Sequence, residues 1–180
     1  IPTLDKKGLN ELIVEVNANG IVPEQSLANN TLIKAYYVIK DVKNPILDVT
    51  FDGSHIMNKD IVSPKPAIAI IAKDDNKYLF IDDASQFEIK LKSPGIDSFN
   101  QLNTNDINFT FKPAKSSEEK AELLYRPDKL DNGTYTLSVQ VFDKNNNKSA
   151  ATPYTIDFKV VNESTVTRVY PYPNPFTTST

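Results

Sequence analysis

The feature that most restricts this chain is a two-residue alternation of apolar and polar side chains, repeated in short segments that Pro, Asn and Asp interrupt. Tyr135, Leu137, Val139 and Val141 alternate with Thr134, Thr136, Ser138 and Gln140, and Tyr154, Ile156, Phe158 and Val160 with Thr155, Asp157 and Lys159. Phe87, Ile89 and Leu91, then Ile107, Phe109 and Phe111, then Leu47, Val49 and Phe51 repeat the pattern. Successive side chains of a strand point to opposite faces, so each segment has one core face and one wet face. Ala67 to Ala72 is apolar on both faces, as for a central strand covered by a neighbour. Many short strands without intervening helices predict two packed antiparallel sheets.

Composition narrows the functions. The chain of 180 residues, with a hydrophobic fraction of 39%, is long enough for one sandwich and a fragment, or for two very small domains. A net charge of −3 argues against a nucleic-acid partner, whose footprint is a basic face. No apolar run approaches the ~20 residues needed for a membrane span, and the N-terminus lacks the shape of a signal peptide. The abrupt start at Ile1 and the Thr/Ser stretch ending at Thr180 are expected of a segment cut from a longer protein. With no cysteine there is no disulfide, thiolate nucleophile or zinc–sulfur site, and the one histidine, His55, excludes a mechanism needing two imidazoles.

Two boundaries divide the chain. Asp41 to Pro45 separates a hairpin-like unit, residues 1–42, from the main strand series at 43–163. Beyond it, residues 164–180 hold three prolines between Pro171 and Pro175, which prevent continuous ladder pairing and predict a linker. Ser116 to Leu124 reads either as a capped helix start, with Ser116 as N-cap and Glu119 at N3, or as a strand, which its surroundings favour.

Leu130-Asp-Asn-Gly-Thr-Tyr-Thr-Leu-Ser-Val139 resembles the E–F corner of an immunoglobulin-like domain. The resemblance implies an immunoglobulin-like β-sandwich in which Tyr135 bonds back across the corner. Leu137 takes the place of the inter-sheet cysteine, so the sheets must be joined by hydrophobic packing alone. Val141-Phe-Asp-Lys-Asn-Asn-Asn-Lys-Ser149 is similar to the F–G turn of bacterial immunoglobulin-like repeats. In the N-terminal unit, Asn10 to Asn17, Val22-Pro-Glu24 and Asn29-Asn30-Thr31 resemble the closing hairpin of a CARDB module. Tyr172-Pro173-Asn174-Pro175-Phe176 looks like the opening of the C-terminal sorting domain of the type IX secretion system of Bacteroidota. With residues 48–68, this order of modules resembles the C-terminal region of large exported proteins, several of which carry a gingipain-type cysteine peptidase domain upstream. The resemblance implies an extracellular or surface location, and as partners the neighbouring domains and, through the sorting domain, the secretion machinery. A monomer is expected.

Few constellations could carry chemistry. Asp48 and Asp52, four positions apart on one strand face, would stand roughly 13 Å apart, beyond the about 5–9.5 Å of glycosidase carboxyl pairs. Asp74, Asp75, Asp82 and Asp83 flank a short predicted strand, Lys77 to Ile81. Carboxylates on adjoining turns suit Ca²⁺, which takes about six to eight oxygens, although Asp is also an ordinary turn former. Calcium is therefore the one cofactor worth testing. His55 has no partner suggested by spacing, and Ser54 would point to the opposite face of a regular strand. The eight tyrosines are expected mostly in the core or at the corner, against the alternative of a sugar-stacking platform. These residues imply a non-catalytic spacer or adaptor, with a carbohydrate- or protein-binding adhesion module as the competing reading.

Overall fold

The computed structural model describes residue 3 and residues 6–162. Eleven strands follow in order: β1 (Gly8–Glu15), β2 (Thr31–Val38), β3 (Ile46–Phe51), β4 (Asp60–Val62), β5 (Ile68–Lys73), β6 (Phe87–Lys92), β7 (Asn100–Gln101), β8 (Phe109–Lys112), β9 (Ala121–Tyr125), β10 (Gly133–Val141) and β11 (Tyr154–Val160). One turn of 3-10 helix, Ala84–Gln86, precedes β6. β3 to β11 build two sheets of order β3-β5-β9-β8 and β4-β11-β10-β6-β7. That is the A-B-E-D and C-F-G arrangement of an immunoglobulin-like sandwich, with β7 added beside strand C. The pairing is antiparallel except that β4 runs parallel to β11.

Alternation builds the core. Ile68, Ile70 and Ala72 of β5 and Ala121, Leu123 and Tyr125 of β9 face Ile89, Leu137, Val139, Ile156 and Phe158 of the other sheet, and all are buried. The other face of β5, Ala69 and Ile71, is only half covered. Phe51 and Phe158 meet across the sheets with ring centroids 5.2 Å apart, and Tyr135 stacks on Phe158 at 5.4 Å. Leu137, in place of a cysteine, is completely buried.

Local chemistry overrides the alternation in four places. Ser116 to Glu119 forms a turn, in which the Ser116 carbonyl accepts from the Glu119 N–H and the Glu119 carboxylate accepts from the Lys115 N–H; the strand begins only at Ala121. Lys77 to Ile81, expected as a strand, is a loop, because the Asn76 side chain accepts from the N–H groups of Tyr78 and Leu79 and so diverts the backbone. Ile107 lies outside β8 and is 98% exposed. Asp52 lies past the end of β3, in a turn at φ +50°, where its carboxylate accepts from the Ala67 N–H. Tyr37 and Tyr78 are exposed rather than internal, whereas Tyr125 and Tyr135 are buried.

The N-terminal unit is a separate two-stranded sheet, β1 against β2, in register from Gly8 opposite Val38 to Glu15 opposite Thr31. Asn17 orders its loop: at φ +51°, it donates to the Val22 carbonyl and the Glu24 carboxylate and accepts from the Val22 N–H.

At the E–F corner Gly133 sits at φ +147°, and a Cβ there would lie 2.4 Å from Cγ of Pro94. Gly133→Ala therefore combines a backbone conformation costing about 1–3 kcal/mol with a steric overlap that Pro94 must move to relieve. It should lower stability by at least about 2 kcal/mol in urea unfolding. Phe158→Ala, which empties the contact between the sheets, should cost about 3–5 kcal/mol in the same measurement.

Candidate functional site

At one end of the sandwich, three chain segments converge: residues 39–45, which lead in from the hairpin; the loop after β5; and the loop between β10 and β11. Each contributes one carboxylate. Single oxygens of Asp41, Asp74 and Asp143 all lie within 4.8 Å of one another. Asp74 is 6% exposed and Asp143 5%.

Asparagines hold this group in place. Asn147 donates through its backbone N–H to Asp143 Oδ1 at 2.7 Å, and through Nδ2 to Asp143 Oδ2 at 2.8 Å and to the Asp41 carbonyl at 3.2 Å. The Asn145 N–H also donates to Asp143 Oδ1. Asn76 Nδ2 donates to Asp41 Oδ2 at 2.7 Å, and the Asn76 N–H to Asp74 Oδ1 at 3.2 Å. Asp74 Oδ2 is buried without a hydrogen-bond partner. Burial pushes the Asp74 carboxyl above the usual carboxylate range, the Asn76 N–H opposes that, and repulsion from Asp143, Asp41 and Asp75 adds to it.

The other predicted acids serve other ends. Asp75 pairs with Lys43 at 2.5 Å on the surface. Asp82 pairs with Lys144 at 2.6 Å. Asp83 caps the 3-10 turn, accepting from the Ser85 N–H at 2.8 Å, a bond that holds its carboxyl below the usual range. Gln86 completes the box by accepting from the Asp83 N–H, and it donates to the Phe142 carbonyl, tying this loop to the neighbouring one. Of the four acids singled out in the sequence, only Asp74 joins the buried cluster. Asp41 and Asp143 looked like a linker residue and a turn former; the Asn-rich turn was their only signal.

A second cleft, of about 620 Å³, is lined by Pro45, Leu47, His55, Ser149, Pro153 and Tyr154 among others. His55 Nε2 lies 2.7 Å from Asp48 Oδ1, a partner that the bend after β3 supplies. Both side chains are exposed. Ser149 Oγ, one of the hydroxyls in the lining, accepts from Gln140 Nε2 and from the Val141 N–H, which commits it to holding the β10 end. Asp52 is engaged in its turn and forms no pair with Asp48.

At the opposite end of β10, Tyr135 Oη donates to the Asp131 carbonyl at 3.2 Å, the corner bond expected of that tyrosine. Asn162 closes over it, donating from Nδ2 to the Leu130 carbonyl and from its N–H to Asn132 Oδ1. The Tyr172 to Phe176 motif lies outside the described residues. Among the described residues, no helix is long and apolar enough to cross a membrane.

No protein-family model matches this chain, and no curated protein does. Among solved structures, the chain is similar to that described as the crystal structure of dimeric latent PorU from Porphyromonas gingivalis, at 18% identity and a TM-score of 0.48. The likeness covers 73% of this chain and 13% of that one, and carries nothing about activity or partners.

Two measurements check this geometry. Tyr135→Phe deletes one hydrogen bond and should lower stability by about 0.5–1.5 kcal/mol in urea unfolding. Asp74→Asn should stabilise the metal-free protein. A carboxyl whose folded pKa is raised favours folding below the unfolded value and loses that contribution as pH rises through the folded value. The advantage of Asp74→Asn in chelator should therefore be small near pH 3 and grow toward neutrality. A constant difference across that range would contradict a raised Asp74 carboxyl, which burial causes first and repulsion from the neighbouring acids adds to.

Proposed function

We propose that this chain is a non-catalytic structural segment of a large exported protein. In this reading it is a spacer that joins preceding modules to a type IX sorting signal, on the surface of a Gram-negative Bacteroidota cell or outside it. One observation carries the spacer reading. The β1–β2 hairpin presents Leu9, Ile13, Ile33 and Tyr37 on one face, with Leu9 72% and Tyr37 71% exposed, and Val14 and Leu32 on the other. An isolated two-stranded hairpin is marginal in water, and strands apolar on both faces belong inside a larger sheet. The hairpin is thus read as the end of a preceding β-module, in keeping with its resemblance to the closing strands of CARDB. The sandwich after it has a closed core of its own.

The sorting role rests on the resemblance of Tyr172 to Phe176 to the start of a sorting domain. Within that reading, a peptidase of gingipain type is one candidate for the catalytic part of the parent. The cleft beside His55 and the exposed Tyr78 favour no defined ligand over another, so the adhesion reading ranks second.

Removing residues 1–40 should leave the melting temperature of the sandwich within a few degrees of the full chain, because no sandwich strand pairs with the hairpin. A peptide of residues 1–42 should lack stable β structure by circular dichroism. Stable folding of that peptide alone would defeat the reading of it as the end of another module. On a glycan array the full chain should give no saturable signal; reproducible binding to one defined sugar would replace the spacer by the adhesion module.

A further inference from the structure

We propose that Asp41, Asp74 and Asp143 form a divalent-cation site of the calcium type, at the point where the segment leading from the hairpin enters the sandwich. Three carboxylates bring single oxygens within 4.8 Å of one another, and two of the three residues are more than nine-tenths buried. No ion pair among the described residues involves any of the three, since Lys43 is paired with Asp75 and Lys144 with Asp82. Like charges so close and so little hydrated repel strongly unless something positive lies between them.

The second, independent observation is Asp74 Oδ2. It is an ionisable oxygen in a side chain 6% exposed, and no group donates to it. A buried anion without partner is costly, and metal coordination is one of the few arrangements that offsets the cost.

The donor set selects the cation. Its candidate donors are all oxygens: three carboxylates, with neighbouring carbonyls and water to complete the shell. The chain has no cysteine, and its one histidine faces Asp48. Hard oxygen donors suit Ca²⁺, Mg²⁺ and Mn²⁺ rather than zinc or copper. Three irregular segments that vary freely in approach suit Ca²⁺, which accepts irregular shells of about six to eight oxygens, better than Mg²⁺, which demands a near-ideal octahedron. Because Asp41 belongs to the connecting segment and the other two acids to the sandwich loops, the ion would fix the angle at which the hairpin leaves. The site rests on these residues alone and stands whether or not the chain is a spacer.

The test is thermal unfolding and calorimetric titration of the full chain, stripped with chelator and then given CaCl₂. One site should appear, and calcium at ~100-fold over its Kd should raise the melting temperature by roughly 5–10 °C. Mg²⁺ should give a smaller shift. Asp74→Asn and Asp143→Asn should each abolish the response, while Asp75→Asn and Asp82→Asn should keep it. Asp74→Asn in chelator should melt no lower than the parent, so its silence cannot come from misfolding. The proposal fails if wild type shows neither heat nor shift at about 10 mM calcium, some tenfold above the weakest Kd of extracellular calcium modules. It fails equally if the response survives Asp74→Asn combined with Asp143→Asn, or is lost in Asp75→Asn.

Discussion

The two sheets are joined by Phe158, which touches Phe51 across the interface and stacks on Tyr135 within its own sheet, with Leu137 and Val139 closing the space beside it. In antibody domains a disulfide joins the sheets at the place Leu137 holds here; in this chain burial alone joins them. Burying one such side chain contributes about 1.5–3 kcal/mol, so the contact needs the whole layer of Ile68, Ile70, Leu123 and Ile89 around it to hold the sheets in register. The loops at both ends of β10 take their positions from that layer.

Those two ends are built differently. At the start of β10, Tyr135 donates to Asp131 and Asn162 to Leu130 and Asn132, with Gly133 leaving room for Pro94, and the one buried oxygen without a partner is the neutral amide Oδ1 of Asn162. At its other end, Asp143, Asp74 and Asp41 converge, and asparagine amides satisfy much of the group but not all of it. A corner of neutral groups, most of them hydrogen-bonded, stabilises the fold as it stands. The acidic cluster differs in leaving an ionisable oxygen, Asp74 Oδ2, buried beside two further carboxylates, and the proposed cation site rests on that difference.

Much of this was legible from residues. The alternation in β6, β10 and β11, the apolar run of β5 and the tyrosine corner are written in local pattern, because a strand's period of two and a corner's hydrogen bond both act over a few positions. Lys77 to Ile81 and Ile107 misled the pattern. A side-chain amide capturing backbone N–H groups, as Asn76 does, competes with strand formation without altering the apolar spacing.

The sequence by itself determined an all-β chain with a cysteine-free core, a corner at Tyr135 and a break at Asp41 to Pro45, since each follows from residue type and short-range spacing. Only the tertiary structure decided which acids meet. Asp41, Asp74 and Asp143 are far apart in the chain, and the order of strands in two packed sheets brings their loops to one end. Asp75, next to Asp74, and Asp82 and Asp83, further along the same loop, are turned instead toward Lys43, Lys144 and Ser85. Neighbours in sequence fall on different sides of a loop, and distance along the chain carries no information about which oxygens share a pocket.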